Sequence, residues 1–146
     1  MVLGALASIF FVAKMNPLRL QKIGFLFSFL GLLILSLSSA NLSMIFTGFI
    51  LFNFFVNFGP GVTTYLLPAE LFASDLKATG HGLAASSGKF GAVIGTIFLP
   101  ILQSFVGIYL TVGLLSMTLL LGWLLTNMLS KEDLWASKEV LSFANT

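Results

Sequence analysis

The residues of this chain that could do chemistry are few, and they lie inside long apolar runs. Asn53, Asn57, Pro60, Gly61 and Thr64 recur at spacings of three and four within Met44–Leu67, while Phe52, Phe54, Phe55 and Phe58 spread elsewhere. On a helix those spacings form a single polar stripe. Two readings stay open for it: the stripe lines a path and holds a polar solute, or its amides hydrogen-bond to neighbouring helices. Gly59-Pro60-Gly61 falls near the middle of the same run, where proline removes a backbone bond and the glycines permit bending. Lys89 is the one ionisable residue well inside an apolar run. A cation there either meets an anion or reaches back to the membrane interface along its own aliphatic stem. His81 is the sole histidine and cysteine is absent, so no nucleophile with a positioned base and no thiolate metal site can be assembled. The expectation is a protein that is not an enzyme and needs no cofactor or metal.

The elements that must position these groups are set by composition. Hydrophobic residues make up 58% of the 146 positions and charged residues 8%, with a mean hydropathy of +1.05, which leaves too little polar surface to cover a water-soluble core. Lipid is the expected solvent and an all-α membrane protein the expected fold class, because backbone groups in lipid must pair within their own segment. Apolar runs near the required length of about 20 residues occur at 23–39, 44–67, 83–102 and 105–128, preceded by a shorter run at 1–13 that reads as a partial span. Residues 129–146 form a polar tail, in which Trp135, Leu134, Val140 and Leu141 suit either a short interfacial helix or a disordered segment.

Charge sets the expected orientation. Lys14, Arg19 and Lys22 fall in the first gap, Glu70, Asp75, Lys77 and His81 in the third, and Lys131 and Lys138 in the tail, whereas Ala40–Ser43 and Gln103-Ser104 carry no charge. Alternate gaps lie on opposite faces, so every loop lysine and arginine shares one face, expected to be cytoplasmic. The net charge of +2 is scattered, and no nucleic-acid partner is expected. The Asn41-Leu42-Ser43 sequon sits too close to the membrane to expect glycosylation.

A resemblance sharpens this picture. Asn57-Phe58-Gly59-Pro60, Thr63-Thr64, Pro68-Ala69-Glu70-Leu71-Phe72, Lys77, His81-Gly82, Ala84-Ala85 and Gly88-Lys89-Phe90-Gly91-Ala92 resemble the tenth and eleventh spans of major facilitator superfamily sugar porters, and most of all the phosphate:proton symporter branch. The resemblance implies a C-terminal part of a helical bundle, from the end of the eighth span to the C-terminal tail, with four complete transmembrane helices and one partial. It implies a multi-pass cell-membrane protein with a cytoplasmic C-terminus. The implied function is secondary transport of a small polar solute such as phosphate, sugar or organic acid, coupled to protons. An N-terminal half would be needed for transport, and the alternative is a non-transporting accessory or vestigial membrane piece.

By the same resemblance, Asn53, Asn57, Gly61, Thr64 and Lys89 become candidates for substrate binding, and Glu70, Lys77 and Arg19 for a cytoplasmic gate. Three departures bear on this. Ala13-Lys14-Met15-Asn16-Pro17 stands where the family shows Asp-x-x-Gly-Arg, Gly61 stands where phosphate symporters carry an asparagine, and Ala73 replaces a proline. The first implies a weaker gate, the second weakens an assignment to phosphate, and the third says little about substrate.

Overall fold

A computed structural model describes the backbone of residues 2–12, 15–38, 41–71 and 77–128, and the side chains of these except at 2–3, 12, 68–71 and 77. The described residues form six helices and no strand: α1 (Val2–Val12), α2 (Pro17–Ser36), α3 (Leu42–Phe58), α4 (Pro60–Leu71), α5 (Lys77–Val106) and α6 (Ile108–Met128). Four stretches are long and apolar enough to cross a membrane: Pro17–Ser36, Leu42–Leu67, Ala78–Val106 and Ile108–Met128.

Local chemistry fixes the helix boundaries. Asn16 caps α2, its Oδ1 accepting from the Leu18 amide at 3.0 Å, and Pro17 follows at the first helical position, where its missing N–H goes unneeded. The helix therefore starts six residues ahead of the apolar run at 23–39 and carries Arg19 and Lys22 on its first turns. Asn41 caps α3 in the same way, accepting from the Ser43 amide at 3.1 Å. The turn expected at Gln103-Ser104 lies instead at Gly107, which has a φ of 80°. Gln103 and Ser104 are ordinary α5 residues, because two polar side chains cost a helix little whereas a left-handed residue ends it. Residues 129–146, including the expected interfacial segment around Trp135, lie outside the described residues.

Helix α2 is the centre of the assembly, packing along both α3 and α6 and also meeting α4, while α1 packs chiefly on α3 and α5 touches only α4 and α6 to any extent. The interior is small and polar: Ser8, Ser28, Thr63, Thr111, Ser116 and Thr126 are buried, against only four buried apolar residues, Leu18, Leu20, Leu32 and Phe58. Most of these hydroxyls donate to a carbonyl of their own helix, as Thr63 Oγ1 does to Gly59 O (3.1 Å) and Thr126 Oγ1 to Gly122 O (2.7 Å). Leu and Phe side chains cover the outside. This inversion follows from the solvent: lipid does not drive leucine inward, so helices associate where small residues let backbones approach.

Close approaches are made by Gly4 of α1, whose Cβ would overlap Phe54 O, and by glycines of α2. A Cβ on Gly24 would stand 2.5 Å from Gly59 Cα and 2.5 Å from Pro60 Cδ, and one on Gly31 would stand 2.6 Å from the Phe52 amide nitrogen. The small-residue ladder of α5 is different: at Gly82, Gly88 and Gly91 a Cβ would meet nothing within 4 Å. Within this chain, close glycine packing is found at α2 and its neighbours, among the described residues.

Two outcomes follow for unfolding in mixed micelles, monitored by far-ultraviolet circular dichroism. Gly24→Ala should destabilise by about 1–3 kcal/mol through overpacking against backbone, whereas Gly88→Ala should be neutral or stabilising by up to about 1 kcal/mol; equal effects would refute this packing. Gly107→Ala should cost roughly 1–2 kcal/mol from its left-handed backbone alone, and an unchanged midpoint would count against a one-residue turn at that position.

Candidate functional site: a broken helix with a polar stripe

The span Leu42–Leu67 is broken at its second third. Helix α3 ends at Phe58, with Gly59 as its C-cap, and α4 starts at Pro60. Pro60 has no N–H to offer the carbonyl of Val56. The amide of Val62 turns to Gly59 O (3.1 Å), which also accepts from the Thr63 amide (3.0 Å). Among the described residues, no backbone amide of α4 bonds back to Val56, Asn57 or Phe58. The break thus frees backbone acceptors inside a membrane-spanning segment, where such groups persist only if protein or a lined cavity satisfies them.

Below the break, aromatic rings hold α3 in place. Phe27 of α2 stacks on Phe55 with centroids 4.5 Å apart, and Phe11 of α1 meets Phe58 edge-on at 5.5 Å. Gly24 against Gly59 and Pro60 fixes the break itself to α2. The hinge is therefore backed by packed helix on one side, while Gly61 and Thr64 are exposed on the other.

The stripe forms as its spacing requires. Asn53 Nδ2 donates to Phe49 O (3.0 Å), Asn57 Nδ2 to Asn53 O (2.7 Å) and Thr64 Oγ1 to Pro60 O (2.6 Å). Each bond runs within or along its own helix rather than to a neighbouring one. Each also uses only one of the amide's two hydrogens, so both asparagines keep capacity to donate and accept. Asn57 is half-buried immediately before the break, and a Cβ at Gly61 would lie 3.9 Å from its Oδ1. Gly61 thus leaves open the space beside the Asn57 amide.

Lys89 lies on α5, exposed. Measured from the ends of the helices opposite Arg19 and Lys22, it stands roughly 26 Å from Val106, and Gly59 stands roughly 26 Å from Leu42. The lysine and the break therefore share one depth. Against a hydrocarbon core of about 30 Å that depth is near the boundary on the Arg19 side rather than at mid-membrane, because α3 and α4 together extend from Leu42 to Leu71.

One pair was not anticipated from the sequence. The rings of Tyr65 on α4 and His81 on α5 lie 5.5 Å apart, joining the two helices on the Arg19 side of the break. Arg19 is exposed at the start of α2. The side chains of Glu70 and Lys77 lie outside the described ones, and so does the gate expected of them.

The sugar (and other) transporter family matches residues 1–132. Curated relatives include the low affinity inorganic phosphate transporter 4 of Lotus japonicus, 38% identical over 93 residues, covering 60% of this chain and 18% of the relative. The probable inorganic phosphate transporter 1-9 of Arabidopsis thaliana is 34% identical over 101 residues, covering 62% of this chain and 18% of the relative. The low affinity inorganic phosphate transporter 8 of Medicago truncatula is 33% identical over 124 residues, covering 71% and 22%. The chain thus spans about a fifth of the length of these relatives. No solved structure matches it. With the family matched along nearly its whole length and four helices able to cross a membrane, the chain belongs to the sugar (and other) transporter family.

Proposed function

We propose that this chain supplies part of the translocation path of a proton-coupled secondary transporter in the cell membrane, its C-terminus on the cytoplasmic side. Its solute is small and polar, and the inorganic phosphate named in its relatives is the first candidate. What supports this reading is the Gly59-Pro60 break with the half-buried Asn57 just before it, and a count along α5 that puts Lys89 as many residues from Val106 as Gly59 is from Leu42. A cation there stands level with freed backbone acceptors and with the Asn57 amide, a set suited to an anion that also carries hydroxyl donors. Thr64 and Asn53 extend the set one turn to either side. Gly61, in the place of an asparagine, widens the site and removes one amide, which favours a solute larger than phosphate or a weaker hold on phosphate itself. Glu70, Lys77 and Arg19 would close the path on the cytoplasmic side.

Transport by rocking two halves needs more helices than this chain contributes, so a further membrane segment, encoded upstream or separately, completes the path in this reading. A second reading, a membrane protein that does not itself transport, draws on the open space beside Gly82, Gly88 and Gly91 of α5.

The test is uptake of labelled phosphate and of labelled hexoses into proteoliposomes, with the chain alone and with a version extended upstream to twelve spans. Uptake only by the extended version is expected, and silence in both would favour the non-transporting reading.

A companion prediction concerns Lys89 in that extended version. Lys89→Gln should lower uptake at least roughly tenfold, the scale of one lost charge-assisted contact, with membrane insertion unchanged. If Lys89 only reaches for the interface, Lys89→Arg and Lys89→Gln would both transport normally.

A further inference from the structure

The break does more than bend the span. Pro60 has no hydrogen to give Val56 O, and among the described residues no other amide of α4 takes its place. Val56 lies in the last turn of α3, where the aligned peptide dipoles carry partial negative charge and the terminal carbonyls seek partners. Gly61 keeps this carbonyl uncovered. A Cβ at that position would begin 3.0 Å from Val56 O, so any other side chain would shield the oxygen, and Gly61 itself is exposed.

A second oxygen borders the same opening. Asn53 O can only accept, so the 2.7 Å bond that it receives from Asn57 fixes which end of that amide is nitrogen. The oxygen is the end left near Gly61, 3.9 Å from where a Cβ would stand. One turn further on, the Thr64 hydroxyl gives its hydrogen to Pro60 O at 2.6 Å and has only lone pairs left to offer. The opening at Gly61 is therefore flanked by two acceptors, Val56 O and Asn57 Oδ1, and followed by a third.

What such an opening holds follows from its sign. A bare anionic oxygen would meet two partly negative oxygens and the negative end of α3, which repel it. An apolar group would leave both oxygens without partners. A hard metal cation takes about six or more oxygen ligands, and two are gathered here. A hydroxyl supplies the hydrogen that both oxygens lack.

We propose that Gly61 determines specificity by opening a subsite in which a hydroxyl of the carried solute donates to Val56 O or Asn57 Oδ1. The proposal rests on the transport reading given above and names what that site selects. The recognised chemistry is an O–H group, which a hexose and a protonated phosphate share. Sulfate, of phosphate's shape but without a hydrogen at neutral pH, is refused at this point.

The test uses the version extended to twelve spans, in proteoliposomes, and reads selectivity rather than rate. If that version carries phosphate, sulfate should compete with labelled phosphate at least roughly tenfold more weakly than unlabelled phosphate does, the scale of one hydrogen bond lost to a group left unpaired. If it carries hexoses, replacing hydroxyls one at a time by fluorine, which accepts but does not donate, should at one position weaken competition by a similar factor. Gly61→Ala should bring the paired competitors to within about threefold of each other, because the methyl covers Val56 O. Asn57→Leu, which removes one of the two oxygens and leaves the backbone alone, should narrow the gap in the same direction. Sulfate or every fluorinated hexose competing as well as its parent would overturn the proposal, and so would a preference unchanged in both variants. Uptake of neither solute by the extended version would instead be the failure of the transport reading, and this proposal would fall with it.

Discussion

Lipid offers no hydrogen bonds, and every feature of this chain answers to that constraint. Backbone groups pair within helices, most described serine and threonine hydroxyls turn to a carbonyl three or four residues back, and asparagine caps cover helix ends at Leu18 and Ser43. The exception is the break at Gly59-Pro60, where carbonyls of a spanning segment lose their helical partners. An unpaired acceptor at this depth costs several kcal/mol, so the break persists only where something offsets it. The close crossing of α2 at Gly24 clamps the break in place.

The same constraint explains why α2 organises the bundle. Without a hydrophobic driving force between helices, association depends on how closely backbones approach. Gly24 and Gly31, seven residues apart, bring α2 against the break and against α3 respectively. Serine and glycine on the other helices do similar service at lower density. The leucines and phenylalanines that dominate the composition mostly face outward, and their role is to match the bilayer rather than to bind the helices together.

Much of this was legible in the sequence. The helical membrane class, four spanning segments, the polar stripe and the break at Gly59-Pro60 all follow from apolar run length, spacing and proline chemistry. The family followed from the stretch between Asn57 and Ala92. The misplaced features have physical reasons. A glycine in a helix reads the same whether it packs or not, so spacing alone does not separate Gly24 and Gly31 from Gly88 and Gly91. Gln103-Ser104 resembled a turn because polarity was weighed above backbone handedness, and Gly107 carried the decisive signal. The Asn16-Pro17 pair was met as a departure from a family motif, when the asparagine-proline order is itself a helix-start signature. Tyr65 and His81 meet only because α4 and α5 are antiparallel neighbours, which no local spacing reveals.

Helices α2 and α6, at 20 and 21 residues, are each about 30 Å long, α2 with Arg19 and Lys22 on its first turns. The arm made of α3 and α4 and the 30-residue α5 are each about 45 Å long. The one-residue turn at Gly107 holds the far ends of α5 and α6 level, so the surplus cannot be shared between the two faces. By length alone it falls on the Arg19 side, where the end of α4 and the start of α5 extend about 15 Å further than a core of about 30 Å requires. That extension carries the Tyr65–His81 contact toward its base. A soluble protease or antibody could reach it without entering the membrane.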